Sequence, residues 1–198
     1  AARTDLLGAS IEDYKVNVSG VENLLRLCAQ QSTIKRAVFA STKLVFPTDA
    51  EVCENYEPEP DTVYGMSKAL GEDLIKKNKV FHNWVIARPT SIWGPWSVAD
   101  HIPYGNFFKL IERRLYFHPA SATAPRYFGF VENSCAQICS LLFSTEELVE
   151  RQVFYLSDYD DYDILEWANE IASEYGVGEV PVIPAVLMRC VAKLGDVL

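Results

Sequence analysis

Seven residues, Lys35-Arg36-Ala37-Val38-Phe39-Ala40-Ser41 (KRAVFAS), decide how the chain is to be read. The run is short and carries β-branched and aromatic side chains, so it reads as a buried strand. Upstream, Ser10 to Gln31 reads as a long helix, because Ile11, Tyr14, Val18, Val21, Leu25 and Cys28 recur at three- and four-residue steps. Downstream, Asp61 or Thr62 can cap a second helix that carries Met66, Ala69, Leu70, Leu74 and Ile75. A second strand, NWVIARP (Asn83–Pro89), follows and is stopped by its proline. Helix, strand, helix, strand in this order predict an α/β fold, with a parallel sheet and right-handed crossovers.

Past Gly94-Pro95 the texture becomes mixed α+β. A helix is expected around Pro103–Arg114, then a short LYFHP (Leu115–Pro119) and a strand RYFGFV (Arg126–Val131). After these come a helix from Glu132 to about Ser144, the strand QVFYLS (Gln152–Ser157), a helix over Asp163–Tyr175 and a helical piece beyond Pro184. Two regions are therefore expected: residues 1–95 around the sheet, and residues 96–198 as a smaller cap. The stretch around 126–157 is expected to pack back on the first region.

The 198 residues carry a net charge of −9, which argues against nucleic acid or an anionic membrane surface as a partner. It does not exclude a phosphate-bearing small molecule, since one or two placed arginines outweigh a mean field. No apolar run approaches the roughly 20 residues of a membrane span. The five cysteines (Cys28, Cys53, Cys135, Cys139 and Cys190) form no Cys-x-x-Cys pair, and a reduced, cytoplasmic setting is expected. Cys135 and Cys139 share a helix face, where core packing is expected. His101 and His118 could line a pocket and His82 is expected at the surface, with no pair at metal-ligand spacing and so no metal site.

The chemistry lies in YGMSK (Tyr64–Lys68). If Tyr64 opens a helix, Lys68 stands one turn on along the same face. An ammonium beside a phenol favours the phenolate, so the tyrosine pKa is expected to fall from about 10 towards neutrality, which makes Tyr64 a usable general base. The same spacing also suits a surface tyrosine beside a solvated lysine. Some two dozen residues upstream, FASTKLVF (Phe39–Phe46) places Ser41 and Thr42 where a parallel strand meets its loop. Ligands of open α/β sheets bind at those carboxyl ends. A turn-forming pair is the alternative for Ser41 and Thr42.

These residues resemble the extended short-chain dehydrogenases/reductases, the NAD-dependent epimerase/dehydratase family that acts on nucleotide sugars. NVSGVENLL (Asn17–Leu25) is similar to the family's Asn-x-x-Gly-Thr-x-Asn-Leu helix, with Val21 in place of threonine. FASTKLVF resembles its Ser-Ser-Ser/Thr strand end, and Glu54, Pro58 and Pro60 match the spacing that leads to Tyr64. IARPTSIWGP looks like Arg-Pro-x-Asn-Val-Tyr-Gly-Pro, and RYFGFVEN like Arg-Asp-Phe-x-Tyr-Val-x-Asp. Five motifs in order, over nearly the whole chain, are far more specific than any one of them.

The resemblance implies that Tyr64 takes a hydroxyl proton as hydride passes to NAD (or NADP), that Lys68 holds the nicotinamide ribose, and that Thr42 positions the reacting oxygen. It places Ala1, Ala2, Ala40, Ser41 and Pro89 beside the cofactor, and Ser91 and Arg126 beside the nucleotide-sugar substrate. Ser91 stands where relatives carry asparagine, and Asn133 where they carry aspartate. The family's glycine-rich turn between its first strand and helix is missing from these 198 residues, and Ala1-Ala2 resembles the end of its fourth strand. Roughly the first 70 residues of the usual Rossmann unit are thus expected to be absent, and the chain to be an internal fragment that holds NAD poorly alone. The 4,6-dehydratases of the family read Thr-Asp-Glu where this chain has Thr42-Lys43-Leu44, which disfavours dehydration. An epimerase working through a 4-keto sugar is the expected activity. An NAD(P)H-dependent carbonyl reductase and a non-catalytic scaffold are the alternatives. The two long helices are those that pair in the dimers of relatives, so a homodimer is expected.

Overall fold

The computed structural model describes residues 2–47, 57–97, 104–120, 126–158, 162–184 and 187. Ala1, Cys53, Glu54, His101, Cys190 and nearly all of the segment beyond Pro184 lie outside them.

The chain divides into two compact units, one of residues 1–92 and 129–157, the other of residues 93–128 and 158–198. The first is an α/β layer structure around a three-stranded parallel sheet. Its strands are β1 (Ala37–Ala40), β2 (Trp84–Pro89) and β6 (Gln152–Leu156), with β2 in the middle. A central parallel strand is covered on both faces, so it is apolar at almost every position. Trp84 through Ala87 are buried, and so is the one charge in the strand, Arg88.

Alternation along β2 sorts its side chains. Trp84 and Ile86 join Leu25, Cys28, Phe39, Ile75 and Phe81 on the face covered by α1 (Lys15–Gln30) and α2 (Val63–Lys77). Val85 and Ala87 join Leu141, Val149 and Leu156 on the other face, under α4 (Val131–Phe143) and α5 (Glu146–Val149). Arg88 has the parity of Trp84 and Ile86, so it points towards α2.

A 3-10 turn at Ile11–Tyr14 leads into α1, so the helix expected from Ser10 starts one turn late. The Asp13 carboxylate accepts from the backbone N–H groups of Ala9 and Ser10 and fixes that turn. Thr62 caps α2 as expected, its hydroxyl oxygen accepting from the Gly65 N–H at 3.0 Å. The C-terminus of α4 is held by Arg36, whose guanidinium donates to the carbonyls of Leu141, Leu142 and Ser144. Along α4, Ser134 and Leu141 are buried while Cys135 and Cys139 are exposed. The expected core role of those two cysteines is therefore corrected: they share a face, but it is the solvent face. Cys28 is buried, and burial pushes its thiol pKa up.

The second unit contains α3 (Tyr104–Glu112), α6 (Ile164–Glu174) and the short parallel pair of β4 (His118–Pro119) and β7 (Val182–Ile183). Asp163 caps α6 by accepting from Leu165 and Glu166 N–H. Ile111, Ala168, Ala172 and Val180 pack together. Trp167 meets the rings of Trp93, Phe107, Phe108, Phe128 and Tyr162 at centroid distances of 5.0–5.8 Å. These rings therefore pack on one another, with Trp167 at their centre buried. Trp96, by contrast, is almost wholly exposed and at a positive φ of 72°, and Phe117 is exposed as well. Strand β5 (Phe128–Phe130) lies within the expected RYFGFV and pairs with β3 (Ser91–Trp93), which, like the two-residue strands, has no counterpart in the sequence periodicity.

Candidate active site

The carboxyl end of β1 is where the first unit gathers its polar groups. The Ser41 N–H continues the ladder by donating to Ala87 C=O at 2.6 Å. Thr42 then caps a 3-10 turn, Lys43–Val45, its hydroxyl accepting from Leu44 N–H at 3.2 Å. The first turn of α2 lies directly on this turn. A Cβ added to Gly65 would collide with the Leu44 carbonyl oxygen, so the glycine of YGMSK is a requirement of close backbone approach.

That contact sets Tyr64 beside Thr42, whose hydroxyl acts on the phenol. The Tyr64 backbone is fixed as well: the Ser67 hydroxyl donates to its carbonyl at 2.7 Å, and the Asn17 amide donates to the Ser67 hydroxyl at 3.0 Å. Asn17 in turn clasps Arg3, accepting from its N–H and donating to its carbonyl. Tyr14, fully buried, tilts its ring 6.0 Å from that of Tyr64. One turn along α2, the half-buried Lys68 donates to the Ala40 carbonyl at 2.6 Å.

The electrostatics differ from expectation. Burial pushes the Tyr64 phenol above its ordinary value, the Thr42 hydroxyl opposes this, and Tyr14 adds to it. The expected lowering by Lys68 is therefore corrected. The ammonium is directed at a backbone carbonyl and the phenol is desolvated, so the neutral form is favoured. Burial likewise pushes Lys68 below the usual lysine value, while the Glu72 carboxylate pulls it back.

Behind these residues lies a buried ion pair. Arg88 donates from Nε to Glu72 Oε1 at 2.9 Å and from Nη2 to Oε2 at 2.6 Å. The Ser41 hydroxyl donates to the same Oε1 at 2.5 Å, and Tyr155 OH accepts from Arg88 at 3.2 Å. The Arg88 guanidinium also lies over the rings of Phe46 and Tyr155. Sequence reasoning missed Glu72, Arg88, Tyr14 and the role of Asn17. A charge inside an otherwise apolar strand was the available signal, since it demands a buried counter-charge. Glu72, four residues after Lys68 on the same helix face, is where to look for it.

The sequence-predicted residues fall as follows. Thr42, Tyr64, Lys68, Ala40 and Ser41 meet at the end of β1. Ala2, Ala40, Ser41 and Lys68 also border a cavity of about 350 Å³, whose remaining wall is largely apolar and includes Val21, Leu24, Val38 and Ile75. Pro89 ends β2 opposite Leu156, half-buried, and Ser91 is exposed in β3. Arg126 belongs to the second unit, where its backbone bridges to Tyr162 and its side chain is exposed. Also in that unit, the buried His118 takes a 3.1 Å contact from Tyr116 OH, and in the first, His82 is exposed.

A family model described as the NAD dependent epimerase/dehydratase family matches residues 4–153. The chain belongs to that family. No curated protein matches significantly. Among solved structures, the chain is similar to UDP-glucuronic acid 4-epimerase from Bacillus cereus in complex with NAD (TM-score 0.74, 18% identity, 93% of this chain and 60% of that one). UDP-N-acetylglucosamine 4-epimerase from the same organism matches at a TM-score of 0.69 and 22% identity, over 93% of this chain and 65% of that one. dTDP-4-dehydrorhamnose reductase from Bacillus anthracis in complex with NADP matches at 0.69 and 24%, over 93% and 63%. At these identities the likeness carries the Rossmann-type fold alone. The chain spans about three-fifths of the length of the structures it matches.

Among the described residues, no helix is long and apolar enough to cross a membrane.

Proposed function

We propose that the chain is the catalytic and substrate-binding part of an NAD-dependent epimerase that acts on a nucleotide sugar through a transient 4-keto intermediate. The observation that carries this reading is the convergence of Thr42, Tyr64 and Lys68 on the end of β1. In it, the first unit is the C-terminal half of the NAD-binding Rossmann domain and the second is the substrate-binding cap.

The residues present fit the ribose end of the cofactor. Lys68 spends one of its three N–H donors on Ala40, and the other two suit a pair of ribose hydroxyls. The nicotinamide would accept and return hydride. Ala2, Ala40, Ser41 and Pro89 would border it. Tyr64 exchanges the proton of the reacting sugar oxygen at its phenolic oxygen, and Thr42, beside that phenol, fixes where the sugar oxygen sits. Ser91 would meet the sugar. Arg126, an exposed guanidinium, suits bidentate contact with the nucleotide phosphates. Lys43 and Leu44 supply no carboxyl pair for a proton relay, which supports epimerisation over dehydration. Val16, Leu24 and Leu27 of α1 and Met66 and Leu70 of α2 are exposed, which supports a homodimer through these helices. A cytoplasmic setting rests on the cysteine pattern alone.

One observation favours a second reading. A Tyr64 phenol held in its neutral form is a proton donor, which suits reduction of a ketone by NAD(P)H.

The test is incubation of the full-length protein with NAD and a panel of nucleotide sugars. Inversion at C4 with no net change in cofactor absorbance supports the epimerase; stoichiometric oxidation of NAD(P)H by a keto sugar supports the reductase. Tyr64→Phe is expected to cut turnover by about a hundredfold or more in either case. A loss smaller than about tenfold would remove Tyr64 from its role.

A further inference from the structure

The Glu72–Arg88 pair has no place in the reaction just described, yet both charges are almost wholly buried. Glu72 is 1% exposed and Arg88 is 2% exposed. A buried ion pair is weak evidence for stability, because desolvation consumes most of what the pair gains, and apolar residues of similar volume serve as well or better. Something other than stability is then the better account of it. The third partner is the clue. One oxygen of Glu72 takes both the Arg88 Nε–H and the Ser41 hydroxyl, and Ser41 stands between Ala40, whose carbonyl holds Lys68, and Thr42, whose hydroxyl meets Tyr64.

We propose that Glu72 is the positioning residue of this site: its carboxylate, held rigid by the Arg88 fork, fixes the end of β1 through Ser41 and is the counter-charge of Lys68 one helical turn away. The fork matters because a carboxylate bound on both oxygens cannot swing. Ser41 is thereby tied down twice, by its N–H to Ala87 and by its hydroxyl to Glu72. The groups that face Lys68 are Glu72 from α2 and Ala40 from β1; Asn17 of α1 borders the same cavity without charge. Those that face Glu72 are Arg88 from β2, Ser41 from the end of β1, and Lys76 from α2 at 3.7 Å. The direction of the Lys68 pKa agrees: burial lowers it, and Glu72 is the group that raises it.

This deepens the reading above, in which Lys68 holds a ribose, but its test does not use turnover. Competitive acetylation of the full-length protein, read by mass spectrometry on the peptide containing Lys68, reports how much of that amine is uncharged at each pH. The variant Glu72→Leu/Arg88→Met removes both charges at similar volume, so it is expected to fold. In it, acetylation of Lys68 at pH 8 should rise several-fold, because losing the Glu72 carboxylate one helical turn away favours the free amine and losing the Arg88 cation beyond it offsets this only in part, while that of the surface Lys15 stays as it was. Ser41→Ala keeps the ion pair and removes the hydroxyl link alone. It should leave Lys68 acetylation unchanged and increase hydrogen exchange at the Ser41 amide by about tenfold or more. Lys68 acetylation in the folded double variant that superimposes on the wild type would overturn the electrostatic half. Undiminished protection of Ser41 in Ser41→Ala would overturn the positioning half. If no nucleotide sugar is turned over, the epimerase reading falls while both of these measurements stand.

Discussion

In the first unit, β2 carries a guanidinium inward to a carboxylate that also binds a serine hydroxyl, and each contact is short and directional. In the second, the interior around Trp167 is a set of rings meeting edge to face or tilted. Ring contacts are worth roughly 0.5–1.5 kcal/mol each beyond area burial and tolerate some sliding. Charge-assisted hydrogen bonds do not slide. The contrast teaches where precision is held: the unit that presents Thr42, Tyr64 and Lys68 has angular constraints beneath them, and the other unit has bulk.

The strongest way to break this contrast is to make matched substitutions in the two interiors. Arg88→Met leaves the Glu72 carboxylate buried with no fork and should cost about 3–5 kcal/mol in urea unfolding. Trp167→Phe keeps a ring in place and should cost about 1–2 kcal/mol, mostly as lost volume. Equal costs would mean that the ion pair is packing like any other, and the contrast would be gone. The double variant Glu72→Leu/Arg88→Met sharpens the point, since it should recover most of what Arg88→Met loses.

The elements that repeat their signal over many residues could be read from the chain. KRAVFAS holds β1, NWVIARP holds β2, and Thr62 caps α2 where a threonine before an apolar-periodic run should. What could not be read involves either too few residues or partners far apart in sequence. β4 and β7 have two residues each, too short for any period, and they exist because their backbones find one another across more than sixty positions. Ser41, Glu72 and Arg88 are joined by folding alone. The face of Cys135 and Cys139 was misjudged because three- and four-residue spacing tells which side chains share a face, and not which face is buried. The Tyr64 proton was misjudged for a related reason. Spacing places Lys68 on the same side of the helix, but desolvation depends on what packs around the phenol.

A smaller effect is expected at Gly65, where the constraint is steric. Gly65→Ala would push a methyl into the Leu44 carbonyl, so α2 must shift away from the Thr42 turn at a cost of about 1–3 kcal/mol. The shift separates Tyr64 from Thr42, so loss of turnover should exceed what the lost stability accounts for. Gly20, with open space around its Cα, is the control, and Gly20→Ala should cost nothing measurable or stabilise slightly, since alanine is the better helix former. Similar losses at the two positions would mean that close approach at the strand end is not what holds the site.

The smallest effect sets the buried ion pair against an exposed one in the same unit. Arg3 Nε donates to Asp5 at 2.8 Å, and both side chains are substantially exposed. The Arg3 hydrogen bond, followed by the Leu7 N–H, lowers the Asp5 carboxyl to about 2 from an ordinary 3.8. A carboxyl depressed in the folded state contributes stability that is complete above its unfolded value and disappears as pH falls through its folded value. The window is therefore from about pH 4 down to about pH 2. Because the pair is screened by water, its contribution is small and should fall further in high salt. The melting temperature of the wild type minus that of Asp5→Asn should be constant from pH 7 to pH 5 and shrink towards zero between pH 4 and pH 2. A difference that grew as the solution became more acidic would reverse the sign of the argument. One as large as that from Arg88→Met would show that burial is not what separates the two pairs.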